Sequence, residues 1–246
     1  MRSRERFLSH WKGRLLHSVI HILSHLRLLL RWVFYSVLMG VLVGFIGIAF
    51  VYAIQWVTTF RTGHWWTVLT LPAGGLLIVW LYRISHDQND KGTNMVLASL
   101  RAETELPMQM APLIFISTVV THFCGGSAGR EGVAVQLGAA VSHNIGSRIP
   151  WFRSIPDAVS ILTIAGMAAG FSGLFHAPLA AFCFALEVLA IGKLEYRALL
   201  PAAIAAVTAN GISVALGLET FQVALPEAGF APLSVPVLLL PRISPR

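Results

Sequence analysis

"GGSAGREGVAVQLG", residues 125–138, decides how this chain folds. It follows "QMAPLIFISTVVTHFC" (109–124), an apolar run with no charge. The adjacent Arg130 and Glu131 are held between Gly129 and Gly132. At bilayer depth a charge costs at least ~2.5 kcal/mol per residue even on lenient insertion scales, so a membrane chain that keeps such a pair uses it. After the glycines, "VAVQLGAAVSHNI" has a helical pattern that predicts a helix from Arg130 to about Ser147. A helix therefore begins inside an apolar region, with a carboxylate in its first turn.

Working outward, the rest of the chain is a membrane protein by composition. Hydrophobic residues make up 56% of 246 and charged residues 12%, about half the charge density of an ordinary soluble domain. Mean hydropathy is +0.71. Between Trp32 and Tyr82 the only charge is Arg61, and 106–129, 158–186 and 198–218 carry none. Several of these runs reach the ~17–25 residues of a spanning helix. Residues 1–31 hold seven basic residues against Glu5, which is +6 of the net +7. No nucleic-acid motif accompanies this arm, and the positive-inside rule makes it cytoplasmic, with a surface amphipathic helix as one form it could take.

The clearest span is "VFYSVLMGVLVGFIGIAFVYAIQWV" (33–57), whose Gly40, Gly44 and Gly47 allow another helix to approach closely. A second, 65–82, is expected to break or kink near Pro72 and Gly74–Gly75. Residues 82–107 are too polar to span and read as a surface loop with a short helix. The apolar stretch 158–192 is interrupted at Pro178, which predicts two shorter tilted helices. The last span runs from about Leu199 to Leu218. Beyond it, five prolines in the last 22 residues rule out a regular spanning helix. Cys124 and Cys183 both lie in apolar runs and are expected as free buried thiols. No His, Cys, Asp or Glu cluster has metal-ligand spacing, so neither a metal nor a cofactor is expected.

At the start of the helix after Gly129, the backbone N–H groups of Gly132 and Val133 are natural donors to a small anion. An ionised Glu131 can occupy that site itself and compete with the anion; when protonated it can leave, which couples anion passage to a proton. Arg130 either raises the local positive potential or hydrogen-bonds a carbonyl or carboxylate and holds the loop.

These residues carry a resemblance. "GGSAGREGVAVQLG" is similar to the gating-glutamate signature of the CLC family of chloride channels and proton-coupled anion transporters, Gly-(Lys/Arg)-Glu-Gly-Pro followed by Val-Gln. Gly129, Arg130, Glu131, Gly132, Val135 and Gln136 match; Val133 replaces the usual proline. "KGTNMV" (91–96) stands where the family has its Gly-Ser-Gly-Ile-Pro anion loop, and "FHAPLAAFCFALEV" (175–188) resembles its Asn-Ala-Pro-Leu-Ala helix. The three motifs occur in family order. The asparagine and hydrophobe in the first loop look most like the fluoride-exporting branch, in which the position after Gly132 is usually threonine.

The resemblance implies an all-α polytopic fold of short, tilted and broken helices, the first half of an inverted repeat. It also implies halide transport, fluoride or chloride, coupled to protons, and not an enzyme. The implied anion contacts are Gly92, Thr93, Asn94 and Met95 on the first loop, with Gly129, Arg130, Gly132 and Val133 around the gate Glu131. Asn94 reads equally as a turn or helix-cap residue. Glu187 fills the first position of the family's acidic pair and Val188 the second, so proton delivery by that route is weak and a structural role for Glu187 at the cytoplasmic edge is favoured. The expected partners are the halide, a proton, the lipid bilayer and a second copy in a homodimer. The expected location is the cell inner membrane, multi-pass, with the N-terminus cytoplasmic.

Three segments follow: a basic cytoplasmic arm (1–31), a CLC-like transmembrane domain that is the first repeat (32–218), and a proline-rich tail (219–246) that looks truncated. Family subunits are roughly twice this length, so a membrane fragment that transports nothing is the alternative. "GGSAG" also satisfies G-x-S-x-G with Ser127 as nucleophile and His122, His143 or His176 as base. That pattern has meaning only between a strand and a helix, and here it follows an apolar helix.

Overall fold

In this computed structural model, residues 2–85, 92–101, 105–188 and 195–218 are described; the proline-rich segment 219–246 lies outside them. Every regular element among these residues is a helix: α1 (Arg2–Gly63), α2 (Leu71–Ile84), α3 (Thr93–Leu100), α4 (Met110–Phe123), α5 (Arg130–Arg148), α6 (Pro150–Arg153), α7 (Ala158–Phe175), α8 (Pro178–Glu187) and α9 (Leu199–Ala215). Short 3-10 helices, Trp65–Thr70 and Tyr196–Ala198, precede α2 and α9. Four helical stretches are long and apolar enough to cross a membrane: His25–Gly63, Trp65–Ile84, Ala158–Phe175 and Tyr196–Ala215.

Three details differ from expectation. α1 runs unbroken through the basic arm and the first span. At 62 residues it is about 93 Å long, twice the thickness of a bilayer with its headgroups, and one end must stand clear of the membrane. The second span changes from 3-10 to α-helix at Leu71; Pro72 sits in the first turn of α2, where its missing N–H is no loss, and Gly74 and Gly75 are helical. Cys124 and Cys183 are both free, but only Cys124 is buried.

α7 is the centre. It is apolar all round, and thirteen of its 18 residues are buried, as befits a helix covered on every side. α5 crosses it antiparallel at very close range. A Cβ on Gly138 would fall on the Gly166 carbonyl, one on Gly166 on Ser142 Oγ, and one on Gly170 on the Ala134 carbonyl. Only glycine lets these backbones meet, and small-residue contact of this kind replaces the hydrophobic drive that lipid cannot supply. α9 closes the other side of α7, where the Ser172 hydroxyl donates to the Ala206 carbonyl at 2.8 Å. Gly40 and Gly44 of α1 lie against Ala205, Thr208 and Ala209 of α9, and Gly47 against Leu174. The small-residue spacing read in α1 thus has two partners.

The contacts fix direction. α1, α4 and α9 run parallel, with Phe50 beside Phe115, Phe60 beside Phe123 and Tyr52 Oη 3.3 Å from the Leu216 carbonyl. α2 and α5 run back. One end carries Trp32, Tyr35, Trp151 and Phe152 in mutual contact, with the Arg31 guanidinium 5.3 Å above the Trp151 ring. Arg27, Arg83, Arg148 and Arg197 belong to this end. The other end carries Trp56, Phe60, His64, Trp65 and Trp66. Trp32 and Trp56 are about 36 Å apart along the helix, the spacing of two interfacial aromatic belts.

Candidate functional site

The site forms where α3 and α5 begin. Neither N-cap, Gly92 nor Gly129, makes a side-chain cap bond, so no side-chain cap occupies the first-turn N–H groups of either helix, although in α3 the Met95 N–H donates to the Gly92 carbonyl at 3.0 Å. Gly92 has φ +59°, a conformation glycine adopts without strain, and it turns the chain into α3 directly against α5. The Gln136 amide donates to the Thr93 hydroxyl at 3.0 Å. A Cβ placed on Gly132 would stand 3.6 Å from both Thr93 Oγ1 and Gln136 Nε2, and one on Gly92 3.5 Å from Gln136 Nε2. Gly92, Thr93, Gly132 and Gln136 therefore share one small polar spot at the convergence of two helix N-termini.

Gln136 belongs to the signature but was not read as a site residue. Its position is the signal that could have found it: four residues after Gly132 on a helix, it must share that face. Because Thr93 accepts from Gln136, the Thr93 O–H proton is left to donate elsewhere. Backbone N–H groups, a hydroxyl proton and an amide make a donor-rich spot. It suits an anion in charge and in hydrogen bonding.

Glu131 precedes Gly132 in the first turn of α5. The side chain is exposed and folds back along its own helix start, with Oε2 3.2 Å from where a Cβ on Gly129 would be. A carboxylate in a first helical turn is favourably placed against the helix dipole. Among the described residues neither Glu131 nor the half-buried Arg130 forms an ion pair, so neither is locked. Val133 is buried; only its backbone can serve the site.

Other expected residues lie apart or serve differently. The exposed Asn94 is the second residue of α3 and is not its cap, which is Gly92; the cap reading of Asn94 is overturned by the position of the turn. Met95 is half-buried and packs against the core with Phe50 and Val96, placing an apolar group beside the spot. Glu187 ends α8, exposed and without an ion pair among the described residues, so the pairing expected for it at the edge is absent there.

Ser127 is exposed in the loop before α5, and among the described residues no imidazole bonds to it. The His122 ring bonds the Thr118 carbonyl at 2.9 Å, and the buried His143 is engaged with Glu105, Leu106 and Thr163. His176 Nε2 is buried with no partner. No group of three or more His, Cys, Asp or Glu comes together among the described residues. A cavity of about 420 Å³ between α1, α2 and α4, lined by Val57, Ala73, Leu77, Phe123 and Cys124, is almost wholly apolar and offers an anion nothing.

Comparison with known proteins gives the family and the fold. Residues 74–241 match the family described as voltage gated chloride channel, so the match continues past 218 into the proline-rich segment. A chloride/fluoride channel protein of Pseudomonas syringae pv. tomato is 34% identical over 188 residues, 76% of this chain and 41% of the relative. The H(+)/Cl(-) exchange transporter ClcA of Klebsiella pneumoniae is 30% identical over 169 residues, 63% of this chain and 35% of ClcA. Among solved structures, a CLC-type fluoride/proton antiporter superposes with TM-score 0.74 at 39% identity, covering 85% of this chain and 53% of that one. A slow cyanobacterial Cl-/H+ antiporter, at 22% identity and TM-score 0.64, shares the fold. The chain thus spans about half the length of these solved structures, and less of the curated relatives. A family match over most of the chain, with the same helical fold, makes this chain a member of the voltage-gated chloride channel, or CLC, family.

Proposed function

We propose that the chain is the anion-binding first half of a proton-coupled halide transporter, with fluoride as the exported ion and Glu131 as gate and proton carrier. The observation that carries this reading is the convergence of two uncapped helix N-termini on Thr93 and Gln136, with an unpaired carboxylate over one of them. Ionised, Glu131 competes with the anion for the donors of α5; protonated, it loses that attraction and yields the place. One proton thereby moves against one or more anions. Arg130 keeps the local potential positive, and Gly129, Gly132 and Val133 contribute backbone.

Fluoride is strongly hydrated, so a site that strips its water needs close, strong donors. N–H groups of α3 and α5 and the Thr93 hydroxyl are of that kind, and Asn94 and Met95 border them. Likeness to a chloride/fluoride channel protein and to a fluoride/proton antiporter supports the same ion. Chloride is the second reading, favoured by the likeness to an H(+)/Cl(-) exchange transporter. The aromatic belts and the basic end of the molecule support a multi-pass orientation in the cell inner membrane with the N-terminus cytoplasmic, where residues 1–31 extend the first spanning helix. A homodimer is the assembly we expect from the family.

Fluoride and chloride efflux from liposomes, with Glu131→Ala beside the wild type, tests the reading. Fluoride flux that carries protons, with the coupling lost in the variant, is the expected result. Chloride flux exceeding fluoride flux would change the ion and keep the gate. Absence of both fluxes from inserted protein would assign transport to a longer chain that also supplies the second half of the site.

A further inference from the structure

Arg61 is the only charged residue of α1 after Arg31, and it lies in the last turn, at the end of the molecule opposite the basic one. Its Nε is buried with no hydrogen-bond partner, and one turn earlier Thr58 Oγ1 is in the same state. Two orphaned polar atoms three residues apart on a helix lie on one face. That face meets the loop that feeds α5. The Arg61 Cδ is 3.7 Å from where a Cβ on Gly125 would be, and Gly125, at φ +87°, lets the loop lie against the arginine stem.

A basic residue in a last helical turn complements the helix dipole. That accounts for a positive charge here but leaves a desolvated N–H and hydroxyl without acceptors, which is costly for a charged group. Among the described carboxylates, Glu105 is held at His143, Asp157 pairs with Arg197, and Glu187 and Glu195 lie toward the basic end. Among the described acids only Glu131 is near this end, and it forms no ion pair with a described residue. A guanidinium that can only donate, beside a hydroxyl free to donate, lacks an acceptor with negative charge and no protons of its own. A small halide meets that description.

We propose that Arg61 and Thr58 form an outer halide-binding site beside the Gly125–Gly126 loop, between the α5 N-terminus under Glu131 and the outer face. The inference rests on the halide-transport reading for the identity of its ion, but binding at this site can be measured without transport. A fixed charge at a mouth raises the local anion concentration, and the effect is screened by salt.

Iodide serves as the probe because it quenches tryptophan, and Trp56, Trp65 and Trp66 surround this end. Quenching of the intact chain in liposomes by iodide is compared with quenching by neutral acrylamide for wild type, Arg61→Gln, Arg61→Lys and Thr58→Val. Wild type is expected to show a saturable iodide component that fluoride or chloride displaces. Arg61→Gln should lower iodide quenching about two- to five-fold with acrylamide quenching unchanged, and Arg61→Lys should keep most of it. If Arg61→Gln does not insert, loss of the saturable component in Thr58→Val supports the site and its persistence overturns it. Iodide quenching equal in Arg61→Gln and wild type, or not displaced by halide, would refute the proposal. Where flux is measurable with halide supplied from the outer side, Arg61→Gln should raise the KM for halide several-fold with the maximal rate retained. A protein with the saturable site and no flux would lack the transport function and keep the site, so the two failures differ.

Discussion

Thr93 has two hydrogen-bonding tasks at the candidate site. Its oxygen accepts from Gln136 and its proton is left for the anion, so one hydroxyl ties α3 to α5 and also serves the ligand. Thr93→Val removes both tasks at once. We expect a loss of about 0.5–1.5 kcal/mol in halide binding, roughly a two- to tenfold weaker affinity, read by titration calorimetry on the purified protein. Glu131→Gln keeps the shape and removes the ionisable group; halide binding should persist while proton movement with the anion is lost, read by paired halide and pH recordings from liposomes. Asp157 makes a contrast. It adopts φ +61°, a left-handed conformation that Asp and Asn tolerate, and its 2.9 Å pair with Arg197 is largely exposed. Asp157→Asn keeps the turn preference and loses a surface pair, so thermal unfolding in detergent should change by about 0.5 kcal/mol or less.

At the scale of elements, the position of α5 decides whether the site exists. Its middle is pressed against α7 at Gly138, Gly166 and Gly170. Its far end is clamped to the segment after α3: His143 Nε2 lies 3.1 Å from Glu105 Oε2 and 3.4 Å from the Leu106 nitrogen, and Asn144 donates to the Leu106 carbonyl at 3.0 Å. Both ends of the α3 region are thereby referred to one helix, through Gln136 at its start and His143 and Asn144 near its finish. Gly166→Val should force α5 and α7 apart, lowering stability by about 1–3 kcal/mol or more and abolishing halide binding with it. His143→Phe puts a larger apolar ring in place of the imidazole and removes its polar contacts to Glu105, Leu106 and Thr163, for a loss of about 1–3 kcal/mol. The readout that separates the two is binding: His143→Phe is distant from Thr93 and should weaken the fold more than the site.

At the scale of the molecule, the two aromatic belts and the basic end set an orientation that labelling can check. In a chain whose own cysteines are replaced by serine, Gly63→Cys has open space around it and should react from outside the cell with a membrane-impermeant maleimide. Ser154→Cys, in the exposed turn beside Trp151, should react only from inside. The reverse pattern would invert the topology and with it the proposed direction of export. The spans, the break at Pro178 and the helix starting at Arg130 were all legible from the chain alone, because run length, proline and glycine act within a few residues of themselves. So was the signature around Glu131. The sequence did not disclose that α1 continues through the basic arm, since apolar periodicity marks where a helix is buried and not where its backbone stops. Nor did it distinguish Cys183 from Cys124, because lipid-facing and core-facing positions are equally apolar. By itself the sequence determined a polytopic helical protein with a carboxylate at a helix start. Only the tertiary structure decided that this start meets α3 at Thr93, 43 residues from Gln136, and that Arg61 lies unpaired beside the same loop. Such meetings depend on how close two helices come, and that distance is set by glycine contacts between segments far apart in the chain.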